Sequence, residues 1–211
     1  VVLVDLDLRS GDDGIMLKME PSHTIGDAAA VSDRLDSDML QGFLRQHDSG
    51  ARVLLAPARP EEADIVTAAR VARILELLRG LADVVVIDTP SAWDETTLAA
   101  ADASDSILAV TGMELPSIKD TSQMIARLAQ LGRSNGTVSV VLNRADSKVL
   151  IEEKDVERAL GRGIVSRIPS DRAVPRSVNK GVPLVLETPR SGVSKAVFEL
   201  ADTITKGGAD A

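Results

Sequence analysis

The sequence predicts a doubly wound, mostly parallel α/β sheet, and three observations predict it. Short apolar runs rich in Val, Ile and Leu recur along the whole chain, helical patterns separate them, and several runs empty into Asp, Asn or Pro. Strands buried on both faces read as continuous apolar runs rather than as alternating ones. Strand alternating with helix is the signature of parallel sheets with helices on both faces.

The elements follow in chain order. Six candidate strands are VVLVDL (1–6), RVLLA (52–56), DVVVID (83–88), SILAV (106–110), VSVVLN (138–143) and IVSRI (164–168). A helix over residues 67–82 follows from Val71, Ile74, Leu75, Leu78 and Leu81 at helical spacing, with Thr67 placed to cap it. A second, over 117–131, turns Ile118, Met124, Ile125, Leu128 and Leu131 inward, with Ser117 as cap and Gly132 just past its end. Shorter helices are expected near 25–33, 37–46, 94–102, 152–160 and 192–205. Without repeats, low-complexity tracts or linkers, residues 1–205 read as one domain and 206–211 as a disordered tail. Pro175 and Pro183 read as turn formers, His23 and His47 as surface residues, and Trp93 as a packing residue or a partner contact.

Composition narrows the function. A chain of 211 residues is long enough to bury one sizeable core. Its three aromatic residues, Phe43, Trp93 and Phe198, are too few for a base-stacking surface. A formal net charge of −8 disfavours wrapping nucleic acid or adhering to an anionic membrane, so no nucleic-acid partner is expected. Cysteine is absent, which removes disulfides and thiolate metal sites. No apolar run reaches the length of a membrane span, so no integral membrane segment is expected and a cytoplasmic location is the default. The chain starts at Val1, inside a strand and without a methionine, which reads as a fragment lacking its N-terminal part.

In open α/β sheets ligands bind beyond the carboxyl ends of the strands. The first strand leads into Asp5, Asp7 and the loop RSGDDG; the third into Asp88, Thr89 and Pro90; the fifth into Asn143, Arg144 and Asp146; the sixth into Pro169, Ser170 and Asp171. An Asp after a strand is often only a cap or turn former. Asp5 and Asp7, however, share one face of the strand end, and two like charges there cost energy unless a cation, donor or water serves them. Carboxylates gathered at one edge suit a nucleotide with Mg²⁺, which takes oxygen ligands.

These motifs resemble a known family. VVLVDLD is similar to the second strand and Asp motif of the ParA/MinD group of deviant P-loop ATPases, and DVVVIDTP to its Walker B strand and switch. VVLNR resembles its adenine-facing strand end, and IPSDRAVPRSVNKGVPLVLE its C-terminal nucleotide-side segment; all four occur in the family's order. Within the group, SGDDGIML, LAPARPEEADIVT and IPSDRAVPRSVNKGVPLVL most resemble CpaE/TadZ proteins of Flp-type (Tad) pilus assembly.

The resemblance implies ATP and Mg²⁺ as cofactors and a homodimer formed around ATP. Asp7 would orient the water that attacks the γ-phosphate, with Asp5 in support, and Asp88 would hold Mg²⁺. Thr89 and Pro90 would begin the switch, Asn143 with Arg144 would face the adenine, and Pro169, Ser170 and Asp171 would border the base. The partners would be pilus or secretion assembly proteins that recruit it to the cell pole or inner membrane.

One departure is large. Neither G-x-x-x-x-G-K-[ST] nor the family's own form of that loop occurs in these residues; Lys206-Gly207-Gly208 mimics only its start. The expectation is therefore a P-loop NTPase fold lacking its first strand, P-loop and first helix, binding ATP poorly and inactive as it stands. Two alternatives remain: a non-catalytic localisation scaffold on the same fold, and, ranked lower, a nicotinamide-dinucleotide oxidoreductase using the acidic strand end for a ribose. The latter leaves DTP, LNR and IPSDRAVP without a role.

Overall fold

The computed structural model describes residues 1–132, 137–147 and 150–207. They form two compact units, one of residues 1–104 and 177–183, the other of residues 105–176 and the chain from Leu184 onward.

In the first unit β1 (Val2–Asp5) leads into a short α1 (Asp13–Met16), then α2 (Ile25–Ala30), α3 (Ser37–Phe43), β2 (Arg45–Gln46) and β3 (Arg52–Leu54). After a 3₁₀ segment at Pro60–Ile65 come α4 (Ala68–Arg79), β4 (Val85–Asp88) and α5 (Glu95–Ala103). The strands lie in the order β2-β3-β1-β4; β1 is parallel to both neighbours, and β2 runs antiparallel to β3. Val2, Val4 and Leu54 pack with Ile25, Leu40, Val71, Ile74 and Leu78 in one core. Val71, Ile74, Leu75 and Leu78 thus form the predicted stripe, but α4 ends at Arg79 and Leu81 follows it. Thr67 is its N-cap by position, but the hydroxyl makes no capping bond.

The second unit holds β5 (Ile107–Thr111), α6 (Leu115–Gln130), β6 (Val138–Asn143), α7 (Glu153–Leu160) and β7 (Ile164–Ile168). After α8 (Ala173–Lys180), which runs from this unit into the first, come α9 (Leu184–Glu187) and α10 (Gly192–Gly207). Its three strands are parallel in the order β5-β6-β7. The predicted α/β class with a mostly parallel sheet is the observed one.

Several details differ. α6 starts before Ser117: Glu114 is its N-cap and Pro116 occupies the first turn, where a missing N–H costs nothing. Ser117 instead turns its hydroxyl back to accept from Gly112 N–H at 2.9 Å. Leu131 follows the helix and is exposed, while Gly132 takes the positive φ of 80° expected of a residue past a helix end. Pro175 forms no turn but sits within the first turn of α8, for the same reason as Pro116. α10 continues through Gly207, two residues into the predicted tail; residues 208–211 lie outside those described. Strand burial is also less complete than expected. β4 and β5 each have one paired neighbour among the described residues, and Val86 and Val110 stay exposed. No helix among the described residues is long and apolar enough to cross a membrane.

Candidate functional site: an acidic cluster beyond β1 and β4

The parallel register of β1 and β4 pairs Asp5 with Asp88, so the sheet itself sets two carboxylates side by side at its carboxyl edge. Neighbouring strands lie only about 4.8 Å apart, and nothing in the backbone can relax that approach. Asp5 is 1% exposed. Its Oδ1 accepts the Asp7 N–H at 3.0 Å, whereas its buried Oδ2 has no hydrogen-bond partner.

Beyond Asp7 the chain doubles back. Gly11 N–H donates to the Asp7 carbonyl at 2.7 Å, closing a turn over Asp5. A Cβ on Gly11 would sit 2.8 Å from Asp5 Oδ2 and 2.4 Å from Ala56 Cβ, so only glycine permits this approach. The turn delivers Asp13, the first residue of α1, to the same place. One carboxylate oxygen each from Asp5, Asp13 and Asp88 lies within 4.8 Å of the others, and Asp13 Oδ2 is likewise buried without a partner.

The electrostatics follow from this crowding. Burial, reinforced by the Asp13 charge, raises the Asp5 pKa to about 7, against the pull of the Asp7 N–H. Burial and then the Asp88 charge raise Asp13 to about 6. Asp88, although exposed as a residue, is shifted upward by partial burial of its carboxyl and by the charge of Asp7; the Thr89 N–H opposes this. The charges acting on Asp5 are all negative. Orphaned, buried, crowded carboxylate oxygens form a hard donor set, and a divalent cation such as Mg²⁺ fits it.

Asp7 does not join the cluster. It lines an open cleft of about 580 Å³ together with Leu8, Arg9, Ser10, Pro90 and Ser91. Pro90 therefore faces the same space as Asp7, and Thr89 links that loop to the cluster through its bond to Asp88.

The other candidates lie in the second unit. The β6/β7 register pairs Asn143 with Ile168, bringing the strand ends that carry Asn143–Arg144 and Pro169–Ser170 together. Asn143 Oδ1 accepts the Arg144 N–H at 3.0 Å, and Arg144 adopts a left-handed φ of 53°. Asp146 Oδ1 accepts the Ser170 N–H at 2.7 Å, tying the two loops, and Asp171 accepts from Ala173 N–H at 2.8 Å as α8 begins.

Asp13 is the residue that sequence reasoning missed. The loop SGDDG shows two acids without giving either a role; the signal is Gly11, a glycine poised between acidic residues where a close approach is needed.

No family model matches the chain. An uncharacterized ATP-binding protein of Methanocaldococcus jannaschii is 23% identical over 203 residues, covering 95% of this chain and 74% of its own length. A candidate septum site-determining protein MinD of Oltmannsiellopsis viridis is 30% identical over 197 residues, covering 89% of this chain but 60% of its own length. Among solved structures, a ParA family ATPase from Chlorobium tepidum superposes with a TM-score of 0.88 at 25% identity, over 95% of this chain and 84% of that one. The chain has the MinD/ParA fold. Relationship to the ParA/MinD-type ATPases is supported by sequence and structure together. Another protein of the MinD/ParA fold, the Pyrococcus horikoshii MinD, was solved with Mg-ADP; it matches with a TM-score of 0.82 at 19% identity, over 96% of this chain and 82% of its own.

Proposed function

We propose that the chain carries the acidic and base-side portions of a nucleotide-dependent ATPase switch of the ParA/MinD type. The observation that carries this reading is the cluster of Asp5, Asp13 and Asp88, with buried oxygens left unsatisfied, at the carboxyl edge of two parallel strands. A structural role would have given those oxygens donors, since buried polar groups are as a rule hydrogen-bonded.

Asp88, with Asp5 beside it, would hold Mg²⁺, whose charge neutralises the transferring phosphoryl group. Asp7, facing the open cleft, accepts a proton or hydrogen bond from the attacking water and aims it in line. Thr89 and Pro90 lie between the two and can report on the occupancy of the site through the Asp88 contact. Asn143 and Arg144, on a strand end paired with the one that carries Pro169, Ser170 and Asp171, would border the adenine. The glycine loop that cradles phosphates in such ATPases does not occur among these 211 residues.

The switch acts as a dimer around ATP, and its output is the assembly or localisation of a Flp/Tad pilus, by analogy with the CpaE/TadZ-like stretches SGDDGIML and IPSDRAVPRSVNKGVPLVL. ATP hydrolysis by the full-length protein, with Asp7→Ala and Asp88→Ala as variants, tests the site. Loss of turnover by about a hundredfold or more in each is expected. Turnover equal to wild type in both overturns the assignment and leaves the localisation scaffold as the better reading.

A further inference from the structure

We infer that Asp13 is a direct cation ligand, and that Asp5, Asp13 and Asp88 together bind one divalent cation in the absence of nucleotide. The inference shares Asp5 and Asp88 with the proposed ATPase site, but it needs no nucleotide and no turnover.

Geometry supports it first. Opposite ligands of an ion are about 4.2 Å apart around Mg²⁺ and about 4.8 Å around Ca²⁺, twice the usual metal–oxygen distances. The three carboxylate oxygens lie within 4.8 Å of one another, so modest side-chain adjustment lets one ion touch all three. Satisfaction of the donors supports it independently. Asp5 is almost wholly buried, its Oδ2 has no partner, and its carboxylate contributes an oxygen to the cluster. An unpaired buried carboxylate oxygen is costly, and a cation meets the need without moving the backbone.

The loop is built to deliver the third ligand. Gly11 closes against Asp5 Oδ2 and Ala56, and the chain then places Asp13 at the start of α1. The neighbouring Asp12 is the N-cap of that helix and is not part of the oxygen cluster. Three carboxylates outweigh the charge of one divalent ion, which favours binding without the phosphates of a nucleotide. They also leave room for waters, as hard cations prefer. A cation held here would fix the loop from Asp7 to Asp13 before ATP arrives.

Mn²⁺ titration of the nucleotide-free protein, followed by the electron paramagnetic resonance signal of the free ion, tests this. One Mn²⁺ per chain, displaced by excess Mg²⁺ or Ca²⁺, is expected. Asp13→Asn and Asp5→Asn should each weaken binding about tenfold or more, while Asp12→Asn, which removes a nearby charge but no cluster oxygen, should weaken it far less. Circular dichroism of each variant establishes that the fold is retained; if Asp5→Asn misfolds, Asp13→Asn with its Asp12→Asn control decides alone. Absence of saturable Mn²⁺ binding, or equal affinity in Asp13→Asn and wild type, overturns the inference. Asp13-dependent Mn²⁺ binding in a protein that neither binds nor hydrolyses ATP would sustain this inference and count only against the ATPase reading.

Discussion

Stability without divalent cations should fall as pH rises through neutrality, and Asp5 is the reason. Its pKa moves from the usual 3.8 to about 7 in the folded protein. A carboxyl whose folded pKa lies above its unfolded one stabilises the fold fully below the unfolded pKa, and that contribution disappears as pH rises through the folded value. Three pH units correspond to about 4 kcal/mol in all, of which roughly 2.5 kcal/mol is lost between pH 5 and pH 8. For a chain of this size that is a drop in Tm of roughly 5–10 °C. The acidic arm runs the other way. Asp94, where partial burial is outweighed by hydrogen bonds from Thr97 and Thr96, titrates below its usual 3.8, so its stabilisation is lost only as pH falls below that ordinary value. The interval from pH 5 to 8 therefore isolates the cluster. Calorimetric melts in a chelating, nucleotide-free buffer should show the decline in wild type and a clearly shallower one for Asp5→Asn, in which the upward shifts of Asp13 and Asp88 remain, with the variant more stable at pH 8. Added Mg²⁺ should flatten the wild-type profile, because a ligand of the folded state stabilises it by mass action. A wild-type slope equal to that of Asp5→Asn would refute the reasoning, since Asp5 would then not be resisting ionisation.

Further outcomes follow from single contacts. Gly11→Ala places a methyl 2.4 Å from Ala56 Cβ and should cost about 1–3 kcal/mol in urea melts while weakening cation binding. Ile74→Ala, at a fully buried position of α4, should cost about 2–5 kcal/mol by the same measurement and leave cation affinity unchanged. Asp146→Ala removes the acceptor of the Ser170 N–H, so that amide should exchange with solvent faster while the β6 amides keep their protection.

The strands and the two long amphipathic helices were legible because each is written in a periodic apolar pattern that burial enforces. What escaped had no such pattern. β2 is two residues long, and α1 and α9 have four each, too short to complete a stripe. α8 was hidden by Pro175, whose position in a first turn looks in sequence like a turn signal. At the site, strand alternation located Asp5 and the order of motifs located Asp88, but neither reports what a loop brings back over them. Asp5 was expected to stand behind Asp7. It is one of the three crowded carboxylates, while Asp7 faces the open cleft.

The cluster makes sense only as an arrangement whose cost is offset from outside. Register pairing places Asp5 beside Asp88, a tight turn at Gly11 adds Asp13, and every nearby charge acting on Asp5 is negative. Local propensity, packing and hydrogen bonding all agree elsewhere in β1, where Val2 and Val4 are fully buried. At its last residue they conflict. A sequence selected for stability alone would replace Asp5 with an apolar residue, as buried ionic groups commonly allow. Such conflicts mark sites where function outweighs stability. An asparagine at position 5 separates the two demands: it should raise stability at neutral pH and lower cation affinity, opposite signs that a merely structural aspartate could not produce.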